Sequence, residues 1–361
     1  MKLRCSRQAP RIAGRDITPK NFRNLLERRR DFCYFVARCA NSAEFRGFRE
    51  IFLTYFVRFM TLAAGLLMLG GQRSPGTVSA SASTAPPNVV LVPSEEPATS
   101  LPSGISPRGL DLKSHAVLVI DESAGAILYA KNPKNVMPIA SITKLMTAMV
   151  VLDASLPLDE TLVIDRADVD GVKHTASRLR VGAQLSRGDL LRLGLMSSEN
   201  RAAAALGRTY PGGKAGVVAA MNAKAQELGM LKSHFADATG LSSENVSSAE
   251  DLARMVRAAS GYPLIREYTT APVHQIVLSD GRVLDYQNSN GLVKNKRWTI
   301  GLSKTGYLNE AGRCLVLKAE IAARPVIIVL LDSWGKYTRL GDANRIKKWM
   351  ESALPSQPSQ L

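Results

Sequence analysis

The chain has 361 residues, enough for one large domain or two modest ones. Hydrophobic residues make up 45% and charged residues 22%, ordinary globular proportions that exclude collagen-like, disordered and multi-span membrane classes. The net charge is +16, but residues 1–82 carry 15 Lys/Arg against 5 Asp/Glu, so the basic excess lies mostly at the N-terminus and composition makes no case for nucleic-acid binding.

Residues 1–50 read as an extension with no assigned role. Arg29-Arg30-Asp31-Phe32 resembles a twin-arginine signal, but the best apolar run comes too far downstream. That run, Phe59–Gly71, has signal-peptide length, with Arg49 and Arg58 before it and the small-residue site Ala80-Ser81-Ala82 after it. Residues 51–82 are therefore expected to be an export signal cleaved near Ala82, or else an uncleaved anchor using all of Ile51–Gly71. Residues 83–109 are rich in Ser, Pro, Ala and Thr and read as a linker. A folded unit is expected over 110–354, with a disordered tail at 355–361.

Within that unit, His115–Asp121 and Ala126–Ala130 are β-rich runs joined by a hairpin signal at Glu122-Ser123-Ala124-Gly125. Ser141–Leu152 and Gly188–Met196 are expected to be amphipathic helices, and Gly216–Leu228 a helix closed by Gly229. Ser247-Ser248-Ala249-Glu250 has the form of a capping box opening Ala249–Ala259. Further strands are expected at Trp298–Ser303, Arg313–Ile321 and Pro325–Leu331, and a last helix at Leu340–Ser352. Strands at both ends with helices between predict a mixed α/β domain: an antiparallel sheet flanked by helices, with an inserted helical lobe and a cleft between lobe and sheet. Cys314 is the one cysteine beyond residue 82, the four histidines are scattered, and neither CxxC nor HExxH occurs. No metal and no cofactor are expected.

Three short motifs carry chemistry. Ser141-Ile142-Thr143-Lys144 is an S-x-x-K at the start of a helical pattern, which puts both side chains on one face where aligned N–H groups favour negative charge on the serine oxygen. Ser198-Glu199-Asn200 is an S-x-N between two helical patterns. Lys304-Thr305-Gly306 closes a strand pattern, with a glycine that lets another backbone or a ligand approach. Two of the three have decoys, Ser333–Lys336 for S-x-x-K and Ser243–Asn245 for S-x-N. Each motif alone reads equally well as a helix cap, a turn or an edge-strand lysine. In this order, however, they are the motif set of class A β-lactamases and penicillin-binding proteins.

Over about residues 113–352 the chain resembles the low-molecular-mass penicillin-binding proteins, the serine D-alanyl-D-alanine peptidases. PIASITKLMTAMVVLDA, LMSSENRAAAAL, FADATGL and WTIGLSKTGYLNEAGRCL all look like family sequence, and the overall wording is most similar to the endopeptidase branch, the penicillin-binding protein 7 type. The resemblance implies a β-lactamase/transpeptidase-like fold. It implies Ser141 as acylated nucleophile, Lys144 as its base and Ser198 as a proton relay. Asn200, Lys304, Thr305 and Gly306 would bind substrate, and the N–H groups of Ser141 and Tyr307 would form an oxyanion hole. Lys144 can act as a base only if burial and a neighbouring cation, expected to be Lys304, lower its pKa.

The implied substrate is the stem peptide of peptidoglycan, cut at D-alanyl-diamino acid cross-links in the periplasm, with β-lactams as covalent inhibitors and membrane contact only through an N-terminal anchor. The motifs do not separate this activity from a D-alanyl-D-alanine carboxypeptidase. A serine β-lactamase is disfavoured because no Glu-x-x-Leu-Asn string follows Asn200. A non-catalytic wall-binding protein is disfavoured because every motif residue is intact.

Overall fold

The computed structural model describes residues 109–171 and 173–353, together with a short antiparallel pair, Arg11–Ile12 and Arg15–Asp16. Apart from that pair and Gly109, the expected extension, signal or anchor, linker and tail lie outside the described residues. The chain divides into two units, Met1–Val90 and Leu91–Leu361, and all that follows concerns the second. Among the described residues no helix is long and apolar enough to cross a membrane.

Five strands form one antiparallel sheet: β1 (Ser114–Asp121), β2 (Ala126–Lys131), β3 (Thr299–Leu308), β4 (Gly312–Ile321) and β5 (Arg324–Ser333), in the order β3-β4-β5-β1-β2. Both faces are covered, so the central strands read as continuous apolar runs rather than alternating ones. Ala116 and Leu118 of β1 join the core under the helical lobe with Val316 of β4 and Ile327, Val329 and Leu331 of β5. Val117 and Val119 face the other way, with Leu315, Leu317, Ile328 and Leu330, onto the C-terminal helix. The β4–β5 turn is made by Ala322 and Ala323, both left-handed at φ 53° and 57°. Alanine carries no turn signal there, and the conformation costs it roughly 1–2 kcal/mol per residue.

The helices are α1 (Thr143–Asp153), α2 (Arg187–Met196), α3 (Asn200–Arg208), α4 (Gly213–Glu227), α5 (Ala249–Ala259), α6 (Pro263–Thr270) and α7 (Thr338–Ala353). The mixed α/β architecture, with its lobe inserted between β2 and β3, is as expected. Several details differ. α1 is not amphipathic: every residue from Thr143 to Val151 is buried, because the helix runs through the middle of the lobe. α5 is capped by Ser248, whose hydroxyl accepts from Asp251 N, one residue later than the expected box, because Ser247 is held in a two-residue ribbon with Met137. β3 runs on through Leu308 instead of stopping at Ser303. α6 and the hairpin Val273–Val277/Val283–Gln287 carry no expectation from sequence.

Candidate active site

Ser141 lies in a 3-10 turn, Ala140–Ile142, that leads into α1 rather than in the helix itself. The turn is held from three sides. Thr143 Oγ1 donates to Ala140 O at 2.8 Å, Ile139 N donates to Asn245 O at 3.0 Å, and the edge strand β3 packs along it. Two glycines make the packing close enough. A Cβ on Gly240, which is itself left-handed at φ +79°, would lie 2.1 Å from Ala140 O; one on Gly306 would lie 2.8 Å from Ile139 O and 3.2 Å from Ser141 N. Ala140 is forced to φ 47° between them.

Lys144 is one helical turn along from Ser141 and fully buried. Its Nζ donates to Ser141 Oγ at 2.8 Å, Asn200 Oδ1 at 2.8 Å and Thr239 O at 2.5 Å. All three acceptors are neutral, so nothing in direct contact repays the loss of hydration. Burial brings its pKa down to about 7 against the opposing pull of Asp237 and Glu199. Ser198 joins α2 to α3 in the left-handed region at φ 62°, a place usually taken by glycine, and Glu199 N returns to Leu193 O at 3.1 Å. That strained turn aims its hydroxyl at Lys304, whose Nζ donates to Ser198 Oγ at 2.8 Å and Thr305 O at 3.0 Å. Lys304 is pushed well below the usual lysine value, by burial first and then by the charges of Lys144 and Arg339. Burial is the first cause at both lysines, and the repulsion between Lys144 and Lys304 disfavours both being charged at once.

The three motifs therefore meet: Lys144 joins Ser141 to Asn200, Lys304 reaches Ser198, and Gly306 lies against the Ser141 turn. Thr305 Oγ1 donates to Ser289 Oγ at 2.8 Å, Gly306 touches the Ser141 turn, and the Tyr307 side chain is exposed. The decoys serve the frame. Asn245 is buried and receives Ala236 N and Asp237 N, and Ser333 Oγ pairs with Ser114 Oγ at 2.5 Å beneath the sheet end.

Sequence reasoning missed several groups. Asp237 accepts from Thr239 N, Thr239 Oγ1, Gly240 N and Ser242 N, which fixes the carbonyl that Lys144 reaches. Burial alone raises a carboxyl, but these bonds outweigh it and hold Asp237 below the usual value. The Asp-x-Thr-Gly spelling is its one local signal. Thr175 accepts from Asn200 Nδ2 at 3.0 Å, and nearby Lys173 pairs with Glu310 on the β3–β4 turn, so this loop ties Asn200 to that turn. Arg339, in the first turn of α7, has Nε and Nη1 buried without a hydrogen-bond partner. A lone arginine in a helix gives no sequence hint of this. A cavity of about 450 Å³ between the Ala167–Gly171 loop, α3, α4 and the Ala236–Ser243 loop adjoins the site at Asn200 and Thr239. Among the described residues no cluster of His, Cys, Asp or Glu could hold a metal ion.

A buried lysine with a pKa of about 7 on one serine, a second buried lysine on a second serine, and an arginine with two unpartnered buried nitrogens are groups that can deprotonate a serine and receive an anion. The model of the family described as D-alanyl-D-alanine carboxypeptidase matches residues 103–335. The chain is 50% identical over 247 residues to a D-alanyl-D-alanine endopeptidase of Pseudomonas aeruginosa, covering 68% of this chain and 80% of that protein. It is 45% identical over 243 residues to the D-alanyl-D-alanine endopeptidase of Escherichia coli, covering 67% and 78%. The crystal structure of the Streptomyces K15 DD-transpeptidase aligns with a TM-score of 0.61 at 28% identity, covering 66% of this chain and 97% of that one.

Proposed function

The chain belongs to the D-alanyl-D-alanine carboxypeptidase family of serine peptidases, and from that premise we propose how its groove performs the reaction. The protein is a serine D,D-peptidase, an endopeptidase that hydrolyses the D-alanyl-diamino acid cross-links of peptidoglycan and is acylated by β-lactams. Ser141 Oγ attacks the D-alanyl carbonyl carbon while its proton passes to the neutral Lys144 Nζ. The N–H groups of Ser141 and Tyr307 hold the tetrahedral oxyanion. The C–N bond breaks, and the leaving amine takes the proton from Lys144 through the Ser198 hydroxyl. Water then attacks the ester, gives a proton back by way of Lys144 to Ser141 Oγ, and leaves the D-alanine carboxylate. Asn200 holds the substrate backbone and Lys144. Lys304, Thr305 and Arg339 receive the carboxylate on the far side of the scissile bond, and its negative charge opposes the burial and repulsion that disfavour the charged form of Lys304.

The observation that carries this reading is Lys144 Nζ, buried and with a pKa near 7, 2.8 Å from Ser141 Oγ. Intact mass after benzylpenicillin is expected to show one adduct on the wild type and none on Ser141→Ala; no adduct, or equal adducts, overturns it. Digestion of cross-linked and uncross-linked muropeptides separates endopeptidase from carboxypeptidase turnover. The protein acts outside the cytoplasm, in the periplasm, exported by the 51–82 segment as a cleaved signal or a retained anchor, and N-terminal sequencing of exported protein distinguishes the two.

A further inference from the structure

Beside the groove lies an aromatic surface that the peptidase chemistry does not use. Tyr307 follows K-T-G on β3, Arg313 is its register partner on β4, and Ser333 on β5 is the partner of Arg313. The chain then turns outward through Trp334 and Tyr337. Trp334 is 89% exposed, Tyr337 67% and Tyr307 52%. Isolated exposed aromatics need no explanation, but three at one end of one sheet do. The backbone that carries two of them is defined. Gly335 turns the chain at φ +87°, and Tyr337 O accepts Leu340 N and Gly341 N at 3.0 and 2.9 Å in the first turn of α7. Cations lie against two of the rings rather than reaching into solvent: Arg313 sits 4.2 Å over Tyr307 and Lys336 5.4 Å over Tyr337. The most exposed group of this strip is the neutral Trp334 indole.

We propose that Tyr307, Arg313, Trp334 and Tyr337 form a platform for the amino-sugar glycan strand of peptidoglycan, placing the pyranose faces against the rings while the attached stem peptide enters the groove. This rests on the reading given under Proposed function. Arg313 and Lys336 cover one face of each tyrosine, so sugar C–H faces would stack on the open Trp334 indole and on the tyrosine faces opposite those cations, whereas an acidic peptide would call for cations extended to solvent. The reach agrees. From β3 to β5 is two strand spacings, roughly 10 Å, and a four-residue stem spans at most about 14 Å. The strip continues the site, because Tyr307 directly follows Lys304-Thr305-Gly306 on β3 and stands opposite Arg313 on β4.

The test compares Trp334→Ala and Trp334→Phe with the wild type on two substrates: intact sacculi, and cross-linked peptide dimers freed from glycan by amidase. Trp334→Ala is expected to lower kcat/KM on sacculi about tenfold through KM, to stay within twofold on the dimers, and to be largely rescued by Phe. Stem-free glycan chains are expected to bind the wild type and not Trp334→Ala in calorimetry. Equal losses on both substrates, no loss on either, or binding of glycan-free stem peptides at Trp334 in place of glycan overturns the platform. A wild type inert on the peptide dimers overturns the peptidase reading instead, and glycan-chain calorimetry still decides the platform.

Discussion

Gly306→Ala tests whether the nucleophile turn and the edge strand are fitted to each other or only adjacent. An added Cβ would stand 2.8 Å from Ile139 O, 3.2 Å from the Ala140 Cβ and 3.2 Å from Ser141 N. Ordinary contact begins near 3.4 Å, so the strand and the turn must part by about 0.6 Å, and the atom in the way is backbone on a turn pinned from both sides. Overpacking of this kind costs about 1–3 kcal/mol, or roughly 3–10 °C in Tm for a domain of this size. The larger effect falls on rate. The parting opens the gap between the two N–H groups assigned to the oxyanion, where a misplacement of about 1 Å costs on the order of 100-fold. Acylation by a fluorescent penicillin should therefore slow about 10- to 100-fold. Gly301→Ala is the control on the same strand, since an added Cβ there would meet only Lys318 O, at 3.9 Å, and it should behave as wild type. A Gly306→Ala protein that acylates within threefold of wild type with an unchanged Tm would refute the reasoning.

Two other predictions concern charge. A Lys144 pKa near 7 means that the neutral, base-competent amine is the minor form below pH 7 and the major form above it; the acylation rate is expected to rise with pH through about 7 and then level, and Lys144→Arg, which stays protonated, should abolish it. A stopped-flow profile flat from pH 5 to 8 contradicts that assignment. Arg339→Leu should raise KM about 10- to 100-fold for substrates with a free carboxylate beyond the scissile bond, leave kcat nearly unchanged, and make little difference when that carboxylate is a methyl ester. Equal effects on acid and ester would show that Arg339 does not receive the anion.

Much of the fold is legible along the chain because local patterns carry it. Ala249–Ala259 shows helical spacing between a serine cap and a terminating turn, and β4 and β5 are apolar β-branched runs long enough for a doubly covered sheet. The amphipathic expectation for α1 fails because a helix buried on every side has no polar face to mark its period. The short gap at Ala322-Ala323-Arg324 marks an antiparallel hairpin, but the left-handed conformation of the two alanines has no local signal because it is imposed by the strands they join, not by turn residues.

The sequence by itself determined the chemical vocabulary: Ser141 and Lys144 three apart at a helix start, Ser198 and Asn200 between helices, and Lys304, Thr305 and Gly306 on a strand. Spacing within a motif is a local property that the helix or strand enforces. Only the tertiary structure decided that these stretches meet and that their decoys do not. It alone decided that Lys144 is stripped of water, that Asp237 fixes the carbonyl beside it, and that Arg339 stands without a partner near Lys304. Those are statements about desolvation and charge at a point in space, and a point built from α1, α3, β3 and α7 has no address in the linear chain.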